Sequence, residues 1–123
     1  MEDKGLLSVV SESERPVYRS SNGLNLLFNK KKELVELCLK HQINKLYVFG
    51  SVLENRFTEK SDYDFLIQFK DIPFDQYTDH YFELHDDLEK LLGRKIDLLT
   101  EKSLKNKFFK EKVVSSRLLL YAA

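Results

Sequence analysis

The order of segments along this chain predicts an α/β or α+β fold, a β-sheet with helical cover. Three observations carry that reading. Short apolar runs of strand length alternate with longer segments whose apolar residues recur at helical spacing. The run after Asp64 is apolar on both faces, as a covered central strand should be. Gly93 stands where the longest helical segment should stop, in the position that favours a left-handed C-terminal residue.

In order, residues 1–28 read as an extension or linker, and 29–123 as the folded domain. Ser11 to Gly23 is rich in Ser, Glu, Arg and Asn without a period, while Leu6 to Val10 could add an edge strand. From about Lys30 to His41, Leu34, Leu37, Cys38 and His41 recur at helical spacing. Lys45 to Phe49 is the first strand, and a short helix is expected between Ser51 and Arg56. The second strand runs from Asp62 to Phe69, and Pro73 closes a turn. Tyr77, Tyr81, Leu84, Leu88 and Leu91 mark one face of a helix from Phe74 to Leu92. Arg94 to Leu99 reads as a third strand and Ser103 to Ser115 as a lysine-rich helix. Leu118 to Tyr121 fits either a last strand or a helix tail.

Composition excludes several function classes. The 123 residues suit one domain, long enough to bury roughly 65% of the unfolded surface. Twenty basic and twenty acidic residues cancel, so no global field draws the chain onto nucleic acid or an anionic membrane. Five lysines between Lys102 and Lys112 are a local exception, and a solvated helix face is their ordinary explanation. The single cysteine, Cys38, forbids an internal disulfide and suits a reducing compartment, the cytoplasm. It falls on the apolar stripe of a helix, so it reads as core. Leu6 to Val10 is too short for a signal sequence or a membrane span.

The chemistry concentrates in Phe49-Gly50-Ser51, followed ten residues later by Asp62-Tyr63-Asp64 at the head of an apolar strand. Residues two apart on a strand share a face, separated by roughly 6.6 Å along the chain. Two carboxylates so placed can lean on one small cation or hold a pair. A Gly-Ser turn offers close backbone N–H approach and a hydroxyl, which suits phosphate. Acidic pairs of this spacing are cheap, with about three expected by chance in such a composition. Glu12/Glu14 and Asp87/Glu89 are of that kind, whereas Asp64 runs directly into Phe65-Leu66-Ile67, where a carboxylate is costly without a partner. Asp97, between Ile96 and Leu98, is a third carboxylate in an apolar strand; its bland alternative is a strand-end ion pair with Arg94 or Lys95. The histidines suggest no metal box: His80 and His85 lie on different faces of their helix and His41 belongs to another element. No P-loop pattern occurs.

Gly50-Ser51, ten residues, Asp62-x-Asp64 in an apolar strand and a later strand with Asp97 together resemble the minimal nucleotidyltransferases, relatives of the DNA polymerase β palm. The resemblance runs from about Lys30 to the C-terminus, so 29–123 would be a nucleotidyltransferase domain with a mixed sheet covered by helices. It implies that Gly50 and Ser51 hold the phosphates of ATP or another nucleoside triphosphate. It implies that Asp62, Asp64 and Asp97 are the catalytic, metal-ligating residues for Mg²⁺, with two ions expected. Many members carry Arg-Gly where this chain has Glu54-Asn55; Asn55 tolerates the left-handed backbone, and Arg56 or Lys60 would have to supply the missing phosphate-binding charge.

The resemblance further implies AMP transfer to a hydroxyl acceptor. A common acceptor there is a tyrosine of a HEPN-type toxin encoded beside the transferase, which thereby acts as an antitoxin. Two other readings stay open: a catalytically weak module that neutralises a partner protein by contact, and a transferase acting on a small molecule or an RNA end. A homo-oligomer is compatible with the sequence; a membrane or nucleic-acid partner is not expected.

Overall fold

The computed structural model describes residues 22–54 and 56–123. Eight principal elements follow in order: α1 Asn22–Asn29, α2 Lys31–Lys40, β1 Ile43–Phe49, β2 Tyr63–Phe69, α3 Phe74–Leu92, β3 Ile96–Thr100, α4 Lys107–Ser116 and β4 Leu118–Ala122. Single 3₁₀ turns occupy Gly50–Leu53 and Glu101–Ser103. The expected α/β organisation is therefore present. The last apolar run is a strand, and the helical pattern expected from 103 begins only at Lys107, where Asn106 Oδ1 accepts the Phe109 N–H at 3.0 Å. Gly93 closes α3 in the left-handed conformation, φ 67°, its N–H donating to the Glu89 carbonyl at 2.8 Å.

The sheet is mixed, with strand order β3-β2-β1-β4. β1 lies antiparallel to both β2 and β4, and β2 lies parallel to β3. The two central strands are covered on both sides, and their side chains alternate between two apolar clusters. Leu46 and Val48 of β1, with Tyr63, Phe65 and Ile67 of β2, enter the larger cluster with Leu34 and Cys38 of α2 and Leu84, Leu88 and Leu92 of α3. Tyr47, Phe49 and Leu66 face the other way, onto Leu104 and Val113 of α4. By the same alternation, Asp64 and Asp97 fall on the α4 side of the sheet. Cys38 is buried in the larger cluster, which pushes its thiol up to about 12 and keeps it unreactive at neutral pH.

The stretch 22–28 departs from the extension that its composition suggested. It forms most of α1, with Leu24 and Leu27 wholly buried in the larger cluster. Tyr63 on β2 ties it down further, its hydroxyl donating to the Gly23 carbonyl at 2.6 Å. A Cβ on Gly23 would collide with the Phe57 ring and Val52, so α1 sits as close as a glycine allows. The possible edge strand at Leu6 to Val10 and the rest of 1–21 lie outside the described residues, as does Asn55. No helix among the described residues is long and apolar enough to cross a membrane.

Candidate active site

The turn after β1 sets the geometry. Gly50 has φ +84°, a conformation L side chains rarely adopt, and a Cβ there would run into the Asp64 carboxylate. Two independent constraints thus select glycine: the left-handed backbone, and the approach of a carboxylate from the neighbouring strand. Gly50→Ala should cost at least ~1–2 kcal/mol for the backbone alone and push Asp64 from its place; a lowered urea midpoint checks it.

Asp64 stands opposite Phe49 on β1 and opposite Asp97 on β3, so the two carboxylates are direct neighbours across a parallel ladder. With Gly50, Ser51, Arg56 and Glu54 they line one cavity of about 560 Å³, closed on its far side by Phe109, Lys112, Val113 and Ser116 of α4. Burial holds the Asp64 carboxyl well above its usual range, at about 6. The Asp97 charge and a hydrogen bond shared with the Asp97 carboxyl add to this, Asp62 pushes the same way, and only Arg56 opposes. This is a crowded acidic group short of positive charge, and its oxygens are the donor type that hard divalent cations take.

The candidate residues do not all arrive together. Gly50, Ser51, Arg56, Asp64 and Asp97 line the cavity, while Asp62 is exposed just before β2 and acts on Asp64 through its charge. Among the described residues, the sets of three or more whose ligand atoms lie within 4.8 Å of one another are His41–His80–Glu83 and His85–Asp86–Glu89. Asp62, Asp64 and Asp97 therefore form a looser group than that. Arg56 is ion-paired with Glu54, two residues before it, and both line the cavity. Lys60 lines a different cavity, with Phe57, Tyr63 and Arg94.

Two readings from sequence need correction. Arg94 does not pair with Asp97: its guanidinium donates to the carbonyls of Thr58 and Ser61 at 3.1 and 2.8 Å and lies over the Phe57 and Tyr63 rings. The histidines do meet. Packing of α2 on α3 places His41 Nδ1 3.1 Å from His80 Nδ1. Lys112, read from sequence as part of a solvated face, is exposed and also lines the carboxylate cavity. The signal was a helix following directly on the Asp97 strand, but which of its faces looks back at the sheet depends on packing.

The family profile described as polymerase beta, nucleotidyltransferase matches residues 32–123, and this chain belongs to that family of nucleotidyltransferases. A Methanocaldococcus jannaschii protein provisionally named a protein adenylyltransferase is 38% identical over 89 residues, covering 72% of this chain and 85% of its own. The protein adenylyltransferase MntA of Thermococcus cleftensis is 37% identical over 82 residues, 67% of this chain and 77% of its own. A solved complex of a tri-AMPylated Shewanella oneidensis HEPN toxin with MNT antitoxin contains a chain of similar fold, with TM-score 0.54 and 19% identity over 80% of this chain and 73% of that one.

Proposed function

We propose that this chain transfers AMP from ATP to a protein hydroxyl, in the manner of an antitoxin acting on a tyrosine of a HEPN-type toxin. The observation that carries it is the Asp64–Asp97 pair, register-matched across β2 and β3 and facing the Gly50–Ser51 turn in one cavity. Support for the protein acceptor comes from the two relatives named for protein adenylylation. The toxin partner is suggested by the likeness to the MNT–HEPN complex.

Each residue's work follows from its position. The Gly50 and Ser51 backbone N–H groups and the Ser51 hydroxyl donate to the triphosphate oxygens, with no Cβ at Gly50 to keep them away. Arg56 and Lys112 put positive charge at the cavity wall. Asp64 and Asp97, with Asp62 beside them, would hold Mg²⁺, and two ions fit the charge of three carboxylates. Bound there, Mg²⁺ supplies Lewis-acid stabilisation of the charge that builds on the phosphoryl oxygens. Asp97 orients the acceptor hydroxyl and takes its proton. The acceptor oxygen bonds to the α-phosphorus, the bond to the β-phosphate oxygen breaks, and pyrophosphate leaves.

Incubation of the chain with α-labelled ATP, Mg²⁺ and a HEPN-type protein tests the reading. The expected result is a gain of AMP on a partner tyrosine that disappears with chelator. Stable complex formation without label overturns it in favour of masking by contact. Label transferred to RNA or a small molecule instead overturns the protein acceptor alone.

A further inference from the structure

On the side of the sheet away from the carboxylate cavity, the α2–α3 contact carries a second group of side chains. His41 follows the last turn of α2 and is only 1% exposed. Its Nε2 lies 2.8 Å from Asp87 Oδ2. A carboxylate oxygen at that distance accepts the hydrogen bond and the ring nitrogen donates it. The neutral ring therefore carries its proton on Nε2, and Nδ1 keeps a lone pair. That lone pair faces Nδ1 of His80, 3.1 Å away, on a ring inclined by 80°. Glu83, three residues along α3 from His80, completes the group: one ligand atom from each of the three lies within 4.8 Å of the other two.

We propose that His41, His80 and Glu83 form a binding site for one divalent transition-metal ion of the Zn²⁺ type, with Asp87 fixing His41 in the ligating tautomer. The nitrogen separation is close to the ~3.3 Å that two histidines adopt on a tetrahedral ion with Zn–N of ~2.0–2.1 Å. A carboxylate receiving the far N–H of a buried ligating histidine is the usual outer partner of such ions. Two imidazoles and one carboxylate favour Zn²⁺, Co²⁺ or Ni²⁺ over Mg²⁺, which prefers an all-oxygen shell. His80 is half-buried and Glu83 exposed, so an ion has a path in and a solvent-facing fourth position. Binding requires only that His80 carry its proton on Nε2. The ion would join the end of α2 to the middle of α3, alongside the Lys40–Asp87 ion pair at 3.2 Å.

The test uses the full chain, stripped with chelator and then titrated with Co²⁺ in excess Mg²⁺, which keeps the active-site carboxylates occupied. The expected result is uptake of one Co²⁺ per chain with tetrahedral visible bands, displaced by Zn²⁺, and a higher melting temperature with Zn²⁺. Glu83→Gln and His80→Ala, both at accessible positions, should weaken uptake at least tenfold while circular dichroism stays unchanged. Asp87→Asn, acting only through His41, should weaken it roughly 10- to 100-fold. Absence of stoichiometric uptake at micromolar Co²⁺ overturns the proposal. So does uptake that survives in both His80→Ala and Glu83→Gln, or that is lost in Asp64→Asn instead.

Discussion

Asp64→Asn should lower nucleotidyl transfer by roughly 10³-fold, the effect of losing ~4 kcal/mol of charge stabilisation at the reacting phosphate. The same change should leave the metal-free protein more stable at neutral pH. In the folded state the Asp64 carboxyl titrates near 6, above the ordinary 3.8, because of burial first and the Asp97 charge and hydrogen bond next. The folded protein thus holds this proton more tightly than the unfolded chain. The associated stability is fully present below about pH 4 and is lost as pH rises through about 6. At pH 7.5 the ionised pair is a liability on the order of 1 kcal/mol after allowance for solvent screening, and asparagine removes it. Thermal melts of wild type and Asp64→Asn in chelator check the sign: the variant's advantage at pH 7.5 should shrink as pH falls toward 5. An inactive variant that also melts lower at every pH would point to lost packing rather than lost ligand charge.

Leu27→Ala should cost ~2–5 kcal/mol, the ordinary range for emptying a fully buried leucine site. That is a large share of the ~5–15 kcal/mol that holds a domain of this kind together. Leu27 is 0% exposed within the cluster that also holds Leu34 of α2 and Val48 of β1, so its loss opens a void at the centre. Asn25 on the outer side of the same helix is exposed, and Asn25→Ala should move the midpoint little. Urea denaturation of the two variants separates a core helix from a dispensable extension.

That helix also shows where sequence reading stopped. Leu24 and Leu27 stand three apart, as a helix face requires, but Leu26 between them and Phe28 after them are apolar too, and the polar stretch before them has no period. Eight residues are too few for periodicity to outweigh such neighbours; the decision was made by Gly23 meeting Phe57 and Tyr63 reaching the Gly23 carbonyl, contacts across about forty residues. β1, β2 and α3 were legible for the opposite reason. β1 and β2 carry short unbroken apolar runs, the apolar pattern of α3 is long enough to state a period, and Pro73 and Gly93 mark its limits chemically.

The site divides in the same way. Asp64 stood out because a carboxylate runs into Phe65-Leu66-Ile67, and Gly50-Ser51 because it follows an apolar strand. Both are local statements about a strand and its turn. Lys112 and the His41–His80 meeting are not local: each depends on which face a helix turns toward its neighbour. Arg56 falls between, since its closeness to Ser51 in sequence was evident but its ion pair with Glu54 was not.

The step from Asp64 to Asp97 is one rung of a parallel ladder, so the gap between them is inherited from backbone hydrogen bonding, ~4.8 Å in any sheet. The protein carries its own ruler for the two charges, made of peptide groups rather than of replaceable side chains. Substitutions elsewhere can drift without disturbing that measure, but a one-residue slip of β3 would turn Asp97 to the opposite side and bring Ile96 or Leu98 in its stead.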